Sequence, residues 1–149
     1  MSDRKPILTL LVLLAASLSL GACSRPETAA TDSRNFHTLA EERISEPQYL
    51  PRDLPIPEGA GITFTEGEFA GGKKSSMLIY ETDETMAELG TTYLKYVKEK
   101  ALESGTQILD KDNLLISGKA PGSYSYSIIG SSSEAKPGGT EIIVTWVEN

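Results

Sequence analysis

Apolar and polar residues divide the chain into three parts. Residues 7–20 are apolar with three exceptions, residues 23–47 are mostly small and polar, and residues 48–149 show regular apolar periodicity. A segment without such periodicity cannot bury enough apolar surface to offset the entropy that it loses on folding. The pattern therefore predicts one folded domain over 48–149, preceded by a flexible tether over 23–47.

Residues 84–104 show the periodicity of an amphipathic helix. At about 100° per residue, seven residues fall within an arc of about 140°: Met86, Leu89, Gly90, Tyr93, Leu94, Val97 and Ala101. Thr85 and Glu88 fit a capping box at the start, and Gly105 is typical of the residue that follows a helix end. Gly90 lies in the apolar arc, so we expect the helix to approach the sheet closely there and to leave no room for a larger side chain.

The rest of the domain shows the period of two that is typical of half-buried strands. Large apolar residues recur at every second position over 124–128 and over 142–146. Gly71-Gly72 predicts the turn of a hairpin, and residues 110–113 predict a second hairpin turn. The three prolines of residues 49–60 favour an extended course, which we expect to lie across the edge of the sheet.

These elements predict an α+β fold, in which one long helix packs on one face of an antiparallel sheet of five to six strands. The expected order is ββαβββ or ββαββββ, and the alternation does not determine which face the helix covers. Four large aromatic residues can share one face: Tyr80, Tyr124, Tyr126 and Trp146. They form either an exposed platform for a peptide or glycan, or the core beneath the helix. We favour the core, because so small a sheet needs its large side chains inside.

Two short motifs resemble ligand-binding loops but lack residues that such loops require. Residues 67–75 nearly match the P-loop pattern, yet Lys74 stands where magnesium needs Ser or Thr. A strand pattern also follows where the phosphates need a helix N-terminus. Residues 110–113 begin like a calcium loop, but Leu115 occupies the place of the required glycine. We therefore expect no bound nucleotide, no metal and no cofactor.

Composition and charge exclude further classes of function. The net charge of −7 argues against nucleic-acid binding, which needs clustered Lys and Arg. The only cysteine, Cys23, and the only histidine, His37, both precede the predicted domain. A nucleophile–histidine pair is therefore not expected within the domain, and we expect His37 to be a solvated part of the tether. The sequence indicates a domain that is not an enzyme.

The N-terminal segment has the form of a secretory signal. Arg4 and Lys5 precede the apolar residues 7–20. That stretch is shorter than the roughly 20 residues needed to cross a bilayer, but it has the length of the apolar region of a signal peptide. We expect residues 1–22 to be a signal peptide.

The next residues, Leu20-Gly21-Ala22-Cys23, resemble the lipobox of bacterial lipoproteins. The resemblance implies cleavage between Ala22 and Cys23, and attachment of diacylglycerol with palmitate or similar chains to the Cys23 thiol. Two or three acyl chains anchor a protein to the bilayer more firmly than one chain does. Removal of residues 1–22 takes away one net positive charge, so the mature chain carries −8. That charge suits a domain held away from an anionic membrane surface.

The residue after the cysteine is Ser24, whereas an Asp there retains lipoproteins in the inner membrane of enteric-type bacteria. The resemblance therefore implies, for a cell with two membranes, the outer membrane facing the periplasm rather than the inner membrane or the cell surface.

The domain is similar in layout to small envelope domains of bacteria. These open with a Pro-x-Gly-Ala segment, here Pro57–Ala60, continue into a Tyr-bearing helix, here with Tyr93, and close with a β-meander. The resemblance implies no activity. We expect a non-catalytic envelope lipoprotein whose domain binds another envelope protein through an exposed sheet face or an edge strand. The alternative is a lipoprotein that binds a small ligand, peptide or glycan through an aromatic sheet face.

Overall fold

The structure, a computed structural model, describes residues 36–42 and 49–149. The expected signal peptide 1–22, with Ala22, and the expected lipid-attachment residue Cys23 lie outside the described residues. The helix α1 spans Met86–Glu99. The strands are β1 (Phe36–Thr38), β2 (Pro55–Pro57), β3 (Gly61–Ala70), β4 (Lys73–Thr82), β5 (Glu103–Leu109), β6 (Asn113–Ala120), β7 (Tyr124–Ser132) and β8 (Thr140–Glu148).

Strands β3 to β8 form a six-stranded antiparallel sheet in the order β3-β4-β8-β7-β6-β5. The predicted α+β fold with one helix and an antiparallel sheet is thereby confirmed. The predicted order of elements is not matched over the whole described chain, because β1 and β2 pair with each other ahead of the main sheet. Both edge strands are irregular: the register shifts between Ile62 and Phe64 in β3 and between Ser104 and Thr106 in β5.

Both predicted hairpin turns are confirmed. Gly71 and Gly72 adopt φ angles of 59° and 78° between β3 and β4, as a tight hairpin turn requires. Residues 67–75 are therefore part of a hairpin and not a phosphate-binding loop. Between β5 and β6, the Asp110 carboxylate accepts hydrogen bonds from the backbone N–H groups of Asp112 at 2.9 Å and Asn113 at 2.8 Å.

The start of α1 matches the prediction. The backbone N–H of Glu88 donates to Thr85 Oγ1 at 3.3 Å, and the backbone N–H of Thr85 donates to the Glu88 carboxylate at 3.0 Å. Hydrogen bonds from the side chain and backbone of Thr85 lower the pKa of Glu88. These contacts satisfy donors that the first helical turn would otherwise leave unpaired.

The end of α1 differs from the prediction. The helix stops at Glu99, five residues before the predicted end, because Ala101 adopts the left-handed conformation with φ of 52°. The backbone N–H of Leu102 donates to the carbonyl of Val97 at 3.0 Å, which is the C-terminal pattern that usually uses glycine at the left-handed position. Gly105 instead lies within β5.

The core lies between one face of the sheet and a layer formed by α1 with residues 49–57. Buried apolar side chains come from both layers and make one continuous cluster. Its members from the sheet are Leu78, Tyr80, Leu114, Ile116, Tyr126, Ile128, Ile142, Val144 and Trp146. Its members from the covering layer include Leu50, Leu54, Ile56, Met86, Leu89, Tyr93, Tyr96 and Val97.

The folded part begins before the predicted boundary at residue 48. β1 pairs with β2, and Leu39 is buried in the core. The Leu39 N–H donates to the carbonyl of Leu54 at 2.8 Å. Residues 36–42 of the predicted tether over 23–47 are therefore part of the fold. His37 lies in β1 with its Nε2 2.6 Å from a carboxylate oxygen of Glu42, so it is not a solvated spacer residue.

The proline-rich segment also lies elsewhere than expected. β2 pairs with β1 and contacts α1, instead of crossing the edge of the main sheet. The Tyr93 hydroxyl of α1 donates to the carbonyl of Pro55 at 3.0 Å and also hydrogen-bonds the Tyr80 hydroxyl of β4. Burial raises the pKa of both phenols. This chain of hydroxyl groups ties the sheet, the helix and β2 together.

A second tie holds the C-terminal half of α1 to the segment before β2. The Tyr96 hydroxyl donates to the Asp53 carboxylate at 3.1 Å, and Lys100 forms an ion pair with the same carboxylate. Partial burial raises the pKa of Asp53, but the hydrogen bonds from Lys100 and Tyr96 outweigh it, so the net shift is downward. Residues 49–57 are thus fixed to the helix by side chains as well as by apolar packing.

Gly90 lies where α1 approaches β5, as expected. A Cβ atom at Gly90 would lie 2.6 Å from Cδ1 of Leu109. The closest neighbour is therefore the end of a side chain and not the backbone of the sheet. Leu109 is 45% exposed, so its side chain has room to turn toward solvent.

Candidate interaction surface

The four aromatic residues lie on the face of the sheet that α1 covers. Tyr80, Tyr126 and Trp146 are buried in the core, and Tyr124 packs against it. The Trp146 ring lies 5.4 Å from the Tyr126 ring and 5.8 Å from the Tyr124 ring, between centroids. The exposed aromatic platform considered from the sequence is therefore excluded, because these rings form the floor of the core.

The other face of the sheet carries a continuous row of apolar side chains. We call this row the apolar stripe and this surface the open face. The strand register places one residue of the stripe on each of the six strands. In sheet order from β3 to β5, these residues are Phe64, Ile79, Ile143, Ile129, Leu115 and Ile108.

The apolar stripe is accessible at its ends and at its centre. Ile108 is 47% exposed, Phe64 is 43% exposed and Ile129 is 40% exposed, while the other three members are half-buried. Within residues 36–42 and 49–149, the helix and the β1–β2 pair both belong to the opposite layer. Directly opposed side chains on neighbouring strands lie about 5 Å apart, so the stripe is one contiguous apolar patch. Such patches on monomeric domains mark interaction sites.

The sequence carried a signal for this stripe. Each of the four central strands contains two consecutive apolar residues where simple alternation would place one: Leu78-Ile79, Leu114-Leu115, Ile128-Ile129 and Ile142-Ile143. Since successive side chains point to opposite faces, each pair supplies one side chain to the core and one to the open face. Reading only every second position identifies the core and overlooks the stripe.

Mostly polar rows border the stripe on both sides, with Met77 of β4 as an apolar member. In the row on one side, the Ser127 and Thr145 hydroxyl groups are hydrogen-bonded at 2.7 Å, and Glu66 lies in the same row on β3. In the row on the other side, Glu81 and Glu141 are neighbours on β4 and β8. Glu81 accepts a hydrogen bond from the Ser133 hydroxyl at 2.6 Å.

Charge is distributed unevenly over the open face. Glu66, Glu81 and Glu141 lie on the half formed by β3, β4 and β8. The same two rows carry only uncharged polar side chains on β7 and β6, namely Ser127, Ser131, Ser117 and Asn113. The open face is thus acidic on one half and uncharged near the stripe on the other.

A shallow depression lies between the start of α1 and the β5–β6 turn. The residues that line it are Thr85, Met86, Ala87, Leu109, Asp110 and Lys111. The side chains of Thr85 and Asp110 are occupied by the capping box and the hairpin turn, respectively. The depression therefore offers a ligand little beyond apolar contact with Met86 and Leu109.

Neither a metal site nor a membrane-spanning helix is found in the part of the chain that the structure describes. Comparison with protein-family models, with curated proteins and with solved structures gave no match.

Proposed function

We propose that this protein is a lipid-anchored lipoprotein of the bacterial envelope whose folded domain binds protein partners through the open face and performs no catalysis. The observation that carries the proposal is the apolar stripe, which crosses all six strands and lies outside the core. A sheet that presents apolar residues on both faces is typical of sheets covered on both faces. The described elements supply a cover for one face only.

The lipid anchor is supported by the sequence Leu20-Gly21-Ala22-Cys23 after an apolar stretch of signal-peptide length. We expect Cys23→Ser to abolish incorporation of labelled palmitate, because only a thiol can form the thioether. The mature wild-type protein should begin at Cys23 and fractionate with the outer membrane. A variant that still incorporates the label, or a mature chain that begins elsewhere, would contradict the anchor.

The non-catalytic role is supported by how the polar side chains are used. Glu88, Asp110 and Asp53 each accept hydrogen bonds that fix a helix start, a turn or the covering layer. His37 is paired with Glu42, five residues further along the chain. These side chains hold the backbone and do not converge on a cleft.

In-cell photo-crosslinking tests the contact surface directly. A photoreactive amino acid in place of Ile129, at the centre of the open face, should give covalent adducts with protein in intact cells. The same amino acid in place of Thr91, exposed on α1 in the opposite layer, serves as the matched control and should give none. Absence of adducts from position 129 would contradict the proposed role of the open face.

A further inference from the structure

We infer that the open face binds the same face of a second copy of this chain, so that two sheets pack together with a dry layer between them. The inference rests on the proposed function, because it uses the apolar stripe as the contact, and it names the partner. Three properties of the open face support it: its area, its symmetry and its distribution of charge.

The area of the open face matches that of a stable dimer interface. Six strands about 4.8 Å apart, each contributing about eight residues at 3.3 Å per residue, span roughly 700 to 800 Å². A standard protein interface buries about 800 Å² on each partner. Two sheets that pack with their strands aligned to within about 30° enclose side chains in a layer about 10 Å thick. Such packing buries the whole stripe.

The apolar stripe is complementary to itself. A two-fold axis parallel to the strands, placed between β8 and β7, lays one sheet over the other and brings β3 opposite the partner's β5. Because the stripe runs across the strands, this rotation maps it onto itself, as an isologous interface requires. The facing pairs are Phe64 with the partner's Ile108, Ile79 with the partner's Leu115, and Ile143 with the partner's Ile129.

The same axis keeps the carboxylates next to the stripe apart. Glu141 comes opposite the partner's Ser131, and Glu81 comes opposite the partner's Asn113, since these residues share one row of the sheet. Each acidic side chain therefore meets an uncharged polar group that can donate a hydrogen bond. Next to the stripe, the acidic half of one copy therefore lies on uncharged side chains of the other.

At the rim, Glu68 comes opposite the partner's Glu103, which is paired in register with the partner's Lys119. The opposite charges of that pair compensate each other near Glu68. The remaining electrostatic cost is the long-range repulsion between two chains of net charge −8 each, which salt screens. We therefore expect the dimer to become tighter as the salt concentration rises.

Native mass spectrometry of the full chain, purified in detergent, tests the dimer. The wild type should give the mass of two copies. Ile129→Lys and Ile143→Glu should each weaken the dimer by about tenfold or more, because each substitution occurs twice in the interface and buries an unpaired charge. Thr91→Lys, on the opposite layer, is the matched control and should leave the dimer unchanged.

Mixing the two variants provides the decisive measurement. In a mixed dimer, the lysine of Ile129→Lys faces the glutamate of Ile143→Glu, and the other pair stays apolar. Mixed dimers should therefore form where each variant alone does not. If a charged variant fails to fold by circular dichroism, Ile129→Ser and Ile143→Ser replace it, since serine is already common on this face. These should also lose the dimer.

A wild type that stays monomeric, or variants that dimerise as well as the wild type, would overturn the inference. The photo-crosslinks from position 129 separate this failure from that of the proposed function. Adducts with a different protein would reject the second copy but keep the open face as a contact surface. Binding of such a protein that weakens with salt would identify a cationic partner of the acidic half, and would also overturn the inference.

Discussion

The two faces of the six-stranded sheet are built from neighbouring residues of the same strands, yet their surroundings differ. Ile128 and Ile142 are buried beneath α1, whereas Ile129 and Ile143, one position further along, lie on the open face. Residue type alone does not distinguish the two faces. What distinguishes them is the covering layer, which residues 36–42, residues 49–57 and α1 supply on one side.

Both faces are apolar at their centres, but within residues 36–42 and 49–149 only one of them is covered. The covered face carries Tyr80, Tyr126 and Trp146, which are buried in the core and stabilise the fold. On the open face, the apolar stripe lies between rows that are mostly polar. Substitutions on each face measure how far the two faces differ in their contribution to stability.

The largest effect is expected for truncation of the covered face. Ile128→Ala should lower the free energy of unfolding by about 2 to 5 kcal/mol, because it leaves a cavity in the core. The adjacent Ile129→Ala should cost about 1 kcal/mol or less in dilute solution, where the open face is solvated. Urea unfolding of both variants measures the difference. Equal costs at every protein concentration would show that the open face is covered within one chain.

A smaller effect is expected for truncation of the N-terminal part of the covering layer. Leu39→Ala should lower the free energy of unfolding by about 2 to 3 kcal/mol, because Leu39 is buried in the core. Ala40→Ser, at an exposed neighbouring position, should change it by less than about 0.5 kcal/mol. Thermal or urea unfolding distinguishes the two. Equal stability of Leu39→Ala and wild type would show that residues 36–42 belong to the tether and not to the fold.

Alkaline pH should lower the free energy of unfolding through the phenols buried between the covered face and the covering layer. Burial raises the pKa values of Tyr80, Tyr93 and Tyr96 above the ordinary value of about 10. The stability that these phenols contribute is fully present below about pH 10 and is lost as pH rises from there toward the folded-state values. Each phenol then reduces stability by about 1.4 kcal/mol per pH unit.

Tyr93→Phe sharpens that measurement. It removes the hydrogen bonds to the carbonyl of Pro55 and to the buried Tyr80 hydroxyl, and should cost about 1 to 3 kcal/mol at neutral pH. It should also reduce the slope of stability against pH above about pH 10, which urea unfolding across that range measures. A slope as steep as that of the wild type would mean that the pKa of Tyr93 is not raised in the folded state.

The smallest effect is expected where the helix approaches β5. The sequence predicted a destabilising Gly90→Ala, but the closest neighbour is the mobile end of Leu109. The gain in helix propensity of up to about 1 kcal/mol and the cost of moving Leu109 should nearly cancel. We expect a net change below about 0.5 kcal/mol, with exposed Thr91→Ala as the control. A loss above about 1 kcal/mol would show that Leu109 is held in place.

Much of the fold could be predicted because its signals are local. Gly71-Gly72 needs no context to form a hairpin turn, and Thr85 with Glu88 marks a helix start by spacing alone. The end of α1 could not be predicted, because Ala101 occupies a left-handed backbone conformation that alanine disfavours. β1 was missed for a related reason: three residues without alternation become a strand only because β2 lies beside them.

The open face was the harder part to foresee. Reading Ile142 and Val144 at every second position predicts a core, but it passes over Ile143 between them. Ile143 can be recognised as part of the stripe only when its neighbours on the adjacent strands are known. Those neighbours are set by the strand register, which is a property of the folded sheet.

The irregular edges of the sheet have a consequence for how copies of this protein can crowd together. A straight, unpaired edge strand recruits further strands and is a starting point for fibril growth. Here the extra residues Thr63 and Gly105 interrupt the ladders of both edge strands. A sheet that meets either edge thus finds the row of hydrogen-bonding groups interrupted at one position. Copies of the protein that crowd together are thereby hindered from pairing edge to edge into an unlimited sheet.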